Sequence, residues 1–310
     1  MGNTEDKNRE TRPSGRVARV IETIVVVFVL GYGLHYLAYF LRARAFNWLG
    51  KQGLEEGLEH ALMYLGHTFF LVMLVIYALA VKKDRGYILR PAKNVARSLW
   101  FALLGAIFGF GLMGICVFAA RMHGDLEIHR ASGMTVTVFL IAVVAVFVQS
   151  SVEELESRAF VFGKMKNEGV PLVLATVVSA FFFSYLHAAN PGFGLIPLLS
   201  IFIVGILYAL SYHYFGTILF TCTAHMMWNF TQDFLFGLPD SGKPAAVSVC
   251  STKVTGSSFF YDEAFGIEGS WMAILVNAVA CVVIIVIGSI LKKRAAAKVT
   301  AGEVGNGSDS

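Results

Sequence analysis

Charged residues are scarce in this 310-residue chain, making up 15% of it, whereas soluble domains carry about 25%. Proline is also rare, with seven residues, and hydrophobic residues reach 56% against about 45–50% in soluble domains. The formal net charge is only +4, and the lysines and arginines flank apolar runs, so no nucleic-acid-binding surface is predicted. This composition excludes an ordinary soluble domain and favours a membrane protein.

Cysteine is sparse as well, with four residues in the chain. Three of them, Cys116, Cys222 and Cys281, fall in apolar runs, and Cys250 lies in a polar stretch. No CxxC spacing or Cys/His zinc pattern occurs, which excludes a disulfide framework and a thiolate metal site.

Long apolar runs make up most of the sequence. About 20 apolar residues are expected for each bilayer crossing, and eight runs are found, at residues 20–41, 61–81, 99–120, 134–163, 171–187, 194–214, 217–236 and 271–291. Helices are expected because they satisfy their own backbone hydrogen bonds in lipid. The sequence therefore predicts an all-α fold, a polytopic membrane bundle of about eight transmembrane helices. The polar first 19 residues predict no cleavable signal peptide.

Lysine and arginine are divided unevenly between the loops, with 18 on the side of the N-terminus and 7 on the other. Because cytoplasmic loops carry the excess, both termini are predicted to be cytoplasmic, and a bacterial inner membrane is the expected location. Residues 1–18 and 295–310 are predicted to be disordered, which leaves 19–294 as a single transmembrane domain. Gly105 and Gly109 form a GxxxG pattern that predicts close helix packing.

Ionisable residues inside the predicted spans are candidates for function, because burying them in lipid is costly unless they are paired or face a cavity. The fourth span contains Glu153, Glu154, Glu156 and Arg158. At i, i+4 on a helix, Glu154 and Arg158 can pair, which leaves Glu153 free to face a cavity. Glu156 is expected to point elsewhere, as a solvated residue near the inner surface.

Two further spans carry polar side chains at helical spacing. The fifth ends at His187, and the seventh holds His225 and Asn229 on one face, as two neighbouring hydrogen-bond donors. A carboxylate, two histidines and an asparagine from three helices can converge in the interior of the bundle. The remaining histidines are interpreted as packing or surface residues: His35, His60, His67, His123, His129 and His213.

The same residues carry a family resemblance. Glu153 to Arg158 fits an EExxxR motif, Phe183 to His187 fits FxxxH, and His225 to Asn229 fits HxxxN. In this order the three motifs resemble those of the CPBP intramembrane proteases, the family that includes the type II CAAX prenyl endopeptidase. The matching region runs from Glu153 to about Gly237, which is under a third of the chain.

The resemblance implies an eight-helix bundle with a buried peptidase site open to the cytosolic side. It implies that Glu153 and His187 activate the attacking water and that His225 and Asn229 form an oxyanion hole. Glu154 and Arg158 would support the site. A peptide or protein substrate at the membrane is the implied partner, besides the lipid bilayer itself.

Two alternatives stay open at this point. One is a zinc-dependent form of the same protease, with His187, His225 and Glu153 as ligands; otherwise no cofactor is expected. The other is a non-catalytic membrane module, either a scaffold or a proton-coupled carrier, since buried glutamate and histidine chains also relay protons. The predicted depths of two site residues in the membrane differ. Measured along each helix from the turn expected at the inner surface, Glu153 lies roughly 15 Å deep and His187 roughly 25 Å deep.

Overall fold

The computed structural model describes residues 13–49, 51, 53–88 and 94–306. In chain order its elements are α1 (Pro13–Leu49), α2 (Glu56–Leu65), α3 (Thr68–Ala80), α4 (Lys82–Ile88), α5 (Val95–His123), β1 (Leu126–Arg130), α6 (Val136–Glu154), α7 (Leu172–Tyr185), α8 (Leu195–Phe215), α9 (Leu219–Phe230), β2 (Cys250–Val254) and α10 (Trp271–Asn306). Helix α6 continues through a π-helical segment, Leu155–Phe162, and a last α-helical turn, Gly163–Asn167. A second π-helical segment, Thr231–Leu235, extends α9.

The predicted polytopic helical bundle is confirmed. Among the described residues, six helical stretches are long and apolar enough to cross a membrane. The other two predicted spans correspond to α7, of 14 residues, and α9, of 12 residues. At 1.5 Å per residue these helices are about 21 Å and 18 Å long, shorter than the roughly 30 Å hydrocarbon core. Both helices are therefore short for a full crossing, although the segment Thr231–Leu235 lengthens α9 to about 25 Å.

The outermost helices reach into the segments that were predicted to be disordered. Helix α1 begins at Pro13 and α10 ends at Asn306. Proline suits the first turn of a helix because its missing N–H has no intrahelical partner there, and three consecutive alanines from Ala295 favour continuation of α10. Residues 1–12 and 307–310 lie outside the described residues.

Close packing of α5 on α9 follows from the GxxxG pattern, as predicted. A Cβ atom on Gly105 would collide with the carbonyl oxygen of Phe220, and one on Gly109 would collide with that of Ala224. Only glycine lets the two backbones approach this closely. Since Ala224 directly precedes His225, this contact sets the position of a candidate site residue.

The π-helical segment of α6 departs from the regular helix assumed from the sequence. It buries Glu156, Ser157 and Arg158 together, and the Ser157 carbonyl accepts a hydrogen bond of 2.7 Å from the Ser179 hydroxyl. Such segments free backbone groups from the regular ladder and occur often at functional sites. The α6 helix thus changes its geometry directly after the Glu153–Glu154 pair.

Residues 237–269, the predicted long loop, form a structured cap over the end of the bundle opposite the termini. Strands β1 and β2 pair there in antiparallel register, with Leu126 opposite Val254 and Arg130 opposite Cys250. The aromatic side chains of Tyr261 and Phe265 are fully buried in the cap. These two side chains belong to hydrophobic clusters that include residues of the helices, so the cap is packed onto the bundle rather than being a flexible connection.

Candidate active site

A cavity of about 310 Å³ lies between the interior helices and the cap. Four of the predicted site residues line it together: Glu153, His187, His225 and Asn229. Tertiary packing thus brings α6, the turn after α7, and α9 to a single space, as the sequence predicted.

Glu153 lines this cavity, and its two carboxylate oxygens differ in their partners. Its Oε1 accepts a hydrogen bond of 2.6 Å from the Gln149 side chain, and the His67 Nε2 lies 3.5 Å from the same oxygen. Its Oε2 is buried and has no hydrogen-bond partner among the described residues; the His225 Nε2 lies 3.8 Å away. A carboxylate with one oxygen held and the other free can accept a proton from a bound molecule.

His187 follows the end of α7 and has a defined tautomer. Its Nδ1 lies 3.0 Å from the Phe183 carbonyl oxygen, which can only accept, so Nδ1 carries a proton. In the neutral ring this leaves the lone pair on Nε2. His187 and Glu153 both line the cavity, and within the described part of the chain no ion pair under 4.0 Å joins them.

Glu154 and Arg158 form a fully buried ion pair behind the cavity, at 3.0 Å. The guanidinium also donates to the Gly205 carbonyl at 3.4 Å and lies 4.3 Å from the centre of the Phe183 ring. Burial of two charges is tolerated only when such additional contacts satisfy them. The predicted i, i+4 pairing is confirmed, and the pair buttresses the helices that carry the other candidates.

His225 and Asn229 lie side by side, but part of their donor capacity is already used. The His225 Nδ1 donates to Glu154 Oε1 at 3.1 Å, so only Nε2 faces the cavity, and it can donate only when the ring is an imidazolium. The Asn229 Nδ2 donates one of its hydrogens to Gln149 Oε1 at 3.2 Å and retains a second one.

Three residues of the site were missed from the sequence. Gln149 lies one helical turn before Glu153, a spacing that could have revealed it. His67 was interpreted as a packing or surface histidine, but it lines the cavity and contacts Glu153. His60 also lines the cavity and pairs with Asp233 at 2.8 Å. No local motif marks the two histidines, because only packing brings α2 and its end against α6 and α9.

The expectation for Glu156 was wrong. Its side chain is buried, with 2% exposure, and pairs with His35 at 3.4 Å. The π-helical segment turns this carboxylate towards α1 instead of towards solvent. His35 is accordingly the partner of a buried acid rather than a simple packing residue.

The apparent mismatch in depth came from a misplaced helix end. The α6 rod continues past Gly163 to Asn167, so Glu153 lies about 21 Å from its end at 1.5 Å per residue. Counted in the same way, His187 lies about 23 Å from the start of α7 at Leu172. The two residues therefore reach similar depths without a strong tilt of either helix.

The residues named for a zinc site do not form a ligand set as arranged. No group of three histidine, cysteine, aspartate or glutamate side chains within the described ranges converges as metal ligands would. One nitrogen of His225, Nδ1, is already engaged by Glu154. The four cysteines are free, three of them buried, and add no ligand.

Buried acids anchor the cap to the end of α9. Glu268 accepts from the Trp228 indole N–H at 3.0 Å and from the Ser241 hydroxyl at 2.7 Å. Asp240 accepts from the Gln232 amide at 2.9 Å and contacts the Tyr64 hydroxyl at 2.7 Å. Burial raises the pKa of Glu268, and the nearby charge of Asp240 raises it further.

The position of the cavity bears on two of the predictions from the sequence. Its lining includes Asp240, Ser241 and Lys243 of the cap, at the end of the bundle opposite the termini. If the cavity opens at the cap, a site on the cytosolic side and cytoplasmic termini exclude each other.

Comparison with known families finds one matching model, described as "Type II CAAX prenyl endopeptidase Rce1-like", over residues 135–231. This segment begins just before α6 and ends just after α9, so it contains all six predicted site residues. No curated protein matches the chain. No solved structure matches it either. Residues 135–231 of this multi-pass membrane protein therefore match the Rce1-like, type II CAAX prenyl endopeptidase family, which is a family of proteases.

Proposed function

We propose that this protein is an intramembrane endopeptidase that hydrolyses a peptide bond of a membrane-associated or prenylated-type substrate. The observation that carries the proposal is the free Oε2 of Glu153, buried in a cavity that His187, His225 and Asn229 also line. The family match over the same helices supports a peptide as the substrate.

Glu153 acts as the general base. Its Oε2 takes a proton from a water molecule, and the oxygen of that water attacks the carbonyl carbon of the scissile bond. The Nε2 lone pair of neutral His187 accepts a hydrogen bond from the other hydrogen of the water, which stays on the oxygen, and so orients the water. Gln149 holds Oε1, which keeps Oε2 directed at the water.

Asn229 and His225 stabilise the negative charge that develops on the carbonyl oxygen. Asn229 contributes its second amide hydrogen, and His225 contributes Nε2–H as an imidazolium whose charge Glu154 offsets. Fixed donors in a dry cavity contribute about 10²–10³ in rate for each donor. When the C–N bond breaks, Glu153 returns its proton to the leaving nitrogen, which yields a new carboxylate and a new amine.

Apolar side chains next to this polar centre give the cavity room for an apolar substrate. Phe183, Ile201 and Val204 line it together with the site residues. Substrate pockets combine such walls with a few placed polar groups. A peptide with aliphatic residues or a lipid anchor beside the scissile bond fits this arrangement.

The test is cleavage of a prenylated peptide by the purified protein in lipid vesicles. We expect Glu153→Gln to lower kcat by about 10²–10⁴-fold, because the amide cannot accept the proton of water. Glu156→Gln is the matched control, since it changes a buried glutamate outside the cavity lining and should retain activity. Wild-type cleavage by the Glu153→Gln protein would contradict the proposal. Activity that persists after chelation and without bound zinc would separate this mechanism from the zinc-dependent form.

A further inference from the structure

The first helix, α1, presents polar side chains to the interior of the bundle. His35 and Arg42 are seven residues apart, which places them on the same side of a helix. The His35 Nδ1 lies 3.4 Å from Glu156 Oε2, and Arg42 donates to the His67 Nε2 at 3.4 Å. Helix α1 therefore approaches the active site, although it lies outside residues 135–231, where the family model matches.

His67, in the break between α2 and α3, has a defined tautomer. Its Nδ1 lies 3.1 Å from the Tyr64 carbonyl oxygen, which can only accept, so Nδ1 carries a proton. The Nε2 atom of the neutral ring therefore holds the lone pair. Arg42 has donors only, and its contact with this lone pair keeps His67 neutral.

The same nitrogen of His67 faces the proposed base. Its Nε2 lies 3.5 Å from Glu153 Oε1. A nitrogen lone pair and a carboxylate oxygen at this distance repel each other unless a positive charge lies beside them. Arg42 supplies that charge: it contacts His67, lines the same cavity and interacts electrostatically with Glu153. The three side chains thus form one group, with Arg42 at its outer end.

Glu153 needs a cation beside it because it is buried, with 12% exposure of its side chain. A buried charge is tolerated only when it is paired. Arg158 and His225 both contact Glu154, at 3.0 Å and 3.1 Å, so that carboxylate offsets much of their charge. Arg42 therefore contributes the positive charge on the Oε1 side of Glu153.

We propose that Arg42 and His67 are positioning residues for the reaction: Arg42, acting through His67, holds Oε1 of Glu153 and keeps this carboxylate ionised. This inference rests on the proposed function and adds α1 to the site. Only an ionised Glu153 can take a proton from water. Neither residue touches the reacting atoms, because the proton moves to Oε2. Loss of either should therefore leave substrate binding intact and the base largely protonated.

Steady-state cleavage of the prenylated peptide tests this role. We expect Arg42→Met to lower kcat by about tenfold to a hundredfold, the range of a hydrogen bond to a charged group, with KM nearly unchanged. Arg42→Lys should restore most of the rate because it restores the charge. Arg44→Met is the matched control, since the Arg44 guanidinium lies over the Phe40 ring, 4.6 Å from its centre.

The His67→Phe variant tests whether the two residues act together. It removes the nitrogen that links Arg42 to Glu153, and it should lower kcat as far as Arg42→Met does. The double variant Arg42→Met/His67→Phe should be no slower than either single variant, because the effects of residues that act as a unit do not add. A full multiplicative loss in the double variant, or an Arg42→Lys protein as slow as Arg42→Met, would overturn the proposal.

Infrared difference spectra give a readout that does not depend on cleavage. With Glu153→Gln as the reference, the wild-type protein should show the band of an ionised carboxylate. Arg42→Met and His67→Phe should each show the carbonyl band of a neutral acid instead, and either variant alone carries the test if the other does not fold. An unchanged carboxylate band in a folded variant would overturn the proposal. The expected bands without any cleavage by the wild type would count against the proposed hydrolysis alone.

Discussion

The Asn229 side chain donates a hydrogen bond of 3.2 Å to Gln149, and Gln149 donates one of 2.6 Å to Glu153. One amide therefore joins the proposed base on α6 to the proposed oxyanion donor on α9. Ser150 donates to the same Gln149 oxygen at 2.9 Å, which fixes the orientation of the amide. The two halves of the proposed mechanism are linked through a residue that no motif contains.

We expect Gln149→Leu to lower kcat by about tenfold or more, because loss of the amide frees both Glu153 and Asn229 from their productive orientations. KM should change little, since Gln149 acts through these two residues. Steady-state kinetics with the prenylated peptide check this. A normal kcat would show that the link has no role in turnover.

Breaking the Glu154–Arg158 pair should destabilise the fold. Replacement of one partner leaves the other as an uncompensated buried charge, at a cost of about 3–5 kcal/mol. Arg158→Met alone should therefore lower the thermal unfolding temperature strongly. The double variant Glu154→Leu/Arg158→Met should recover much of the loss, and unfolding in detergent micelles measures both. Equal stability of the single variant and the wild type would contradict burial of the pair.

Gly109→Ala should lower both stability and activity. The added methyl group collides with the Ala224 carbonyl, and overpacking of this kind costs about 1–3 kcal/mol; it also displaces His225. Gly111→Ala is the matched control, because a Cβ there meets nothing within 4 Å. Thermal unfolding and cleavage rates distinguish the two variants, and equal effects would show that the contact between α5 and α9 is unimportant.

The cap should become less stable as pH rises. Burial and Asp240 raise the pKa of Glu268 above its ordinary value of 4.5, so the folded state binds this proton more tightly than the unfolded state does. Stability from this group is fully present below pH 4.5 and is lost as pH rises through the raised pKa. Glu268→Gln should remove this part of the pH dependence, as measured by unfolding between pH 4 and 8. An unchanged slope would contradict the assignment.

Topology can be tested with single cysteines at the two ends of the bundle. The uneven lysine and arginine distribution leads us to expect cytoplasmic termini, which would direct the cap and its cavity away from the cytoplasm. A membrane-impermeant thiol reagent should then label Ser257→Cys in intact cells but not Asn167→Cys. The reverse pattern would place the site on the cytosolic side.

Composition and apolar run lengths sufficed to predict a helical membrane bundle, because the bilayer requires that each crossing satisfy its own backbone. Helical spacing was also enough to predict the Glu154–Arg158 pair and the shared face of His225 and Asn229, since contacts within one helix follow from its period. The same helical spacing could have predicted the contact of Gln149 with Glu153, because the two residues are four positions apart on α6.

Tertiary structure alone decided the rest. His67 lies in the break between α2 and α3, and Lys243 lies in the cap. Both are far from Glu153 in the sequence, so no helical spacing predicts that they share a cavity with it. The π-helical segment that buries Glu156 depends on packing against α1 and α7 rather than on intrinsic preference. The sequence by itself determined which residues could do chemistry along each helix, and only the packing of separate helices decided which of them meet and which oxygen of Glu153 remains free.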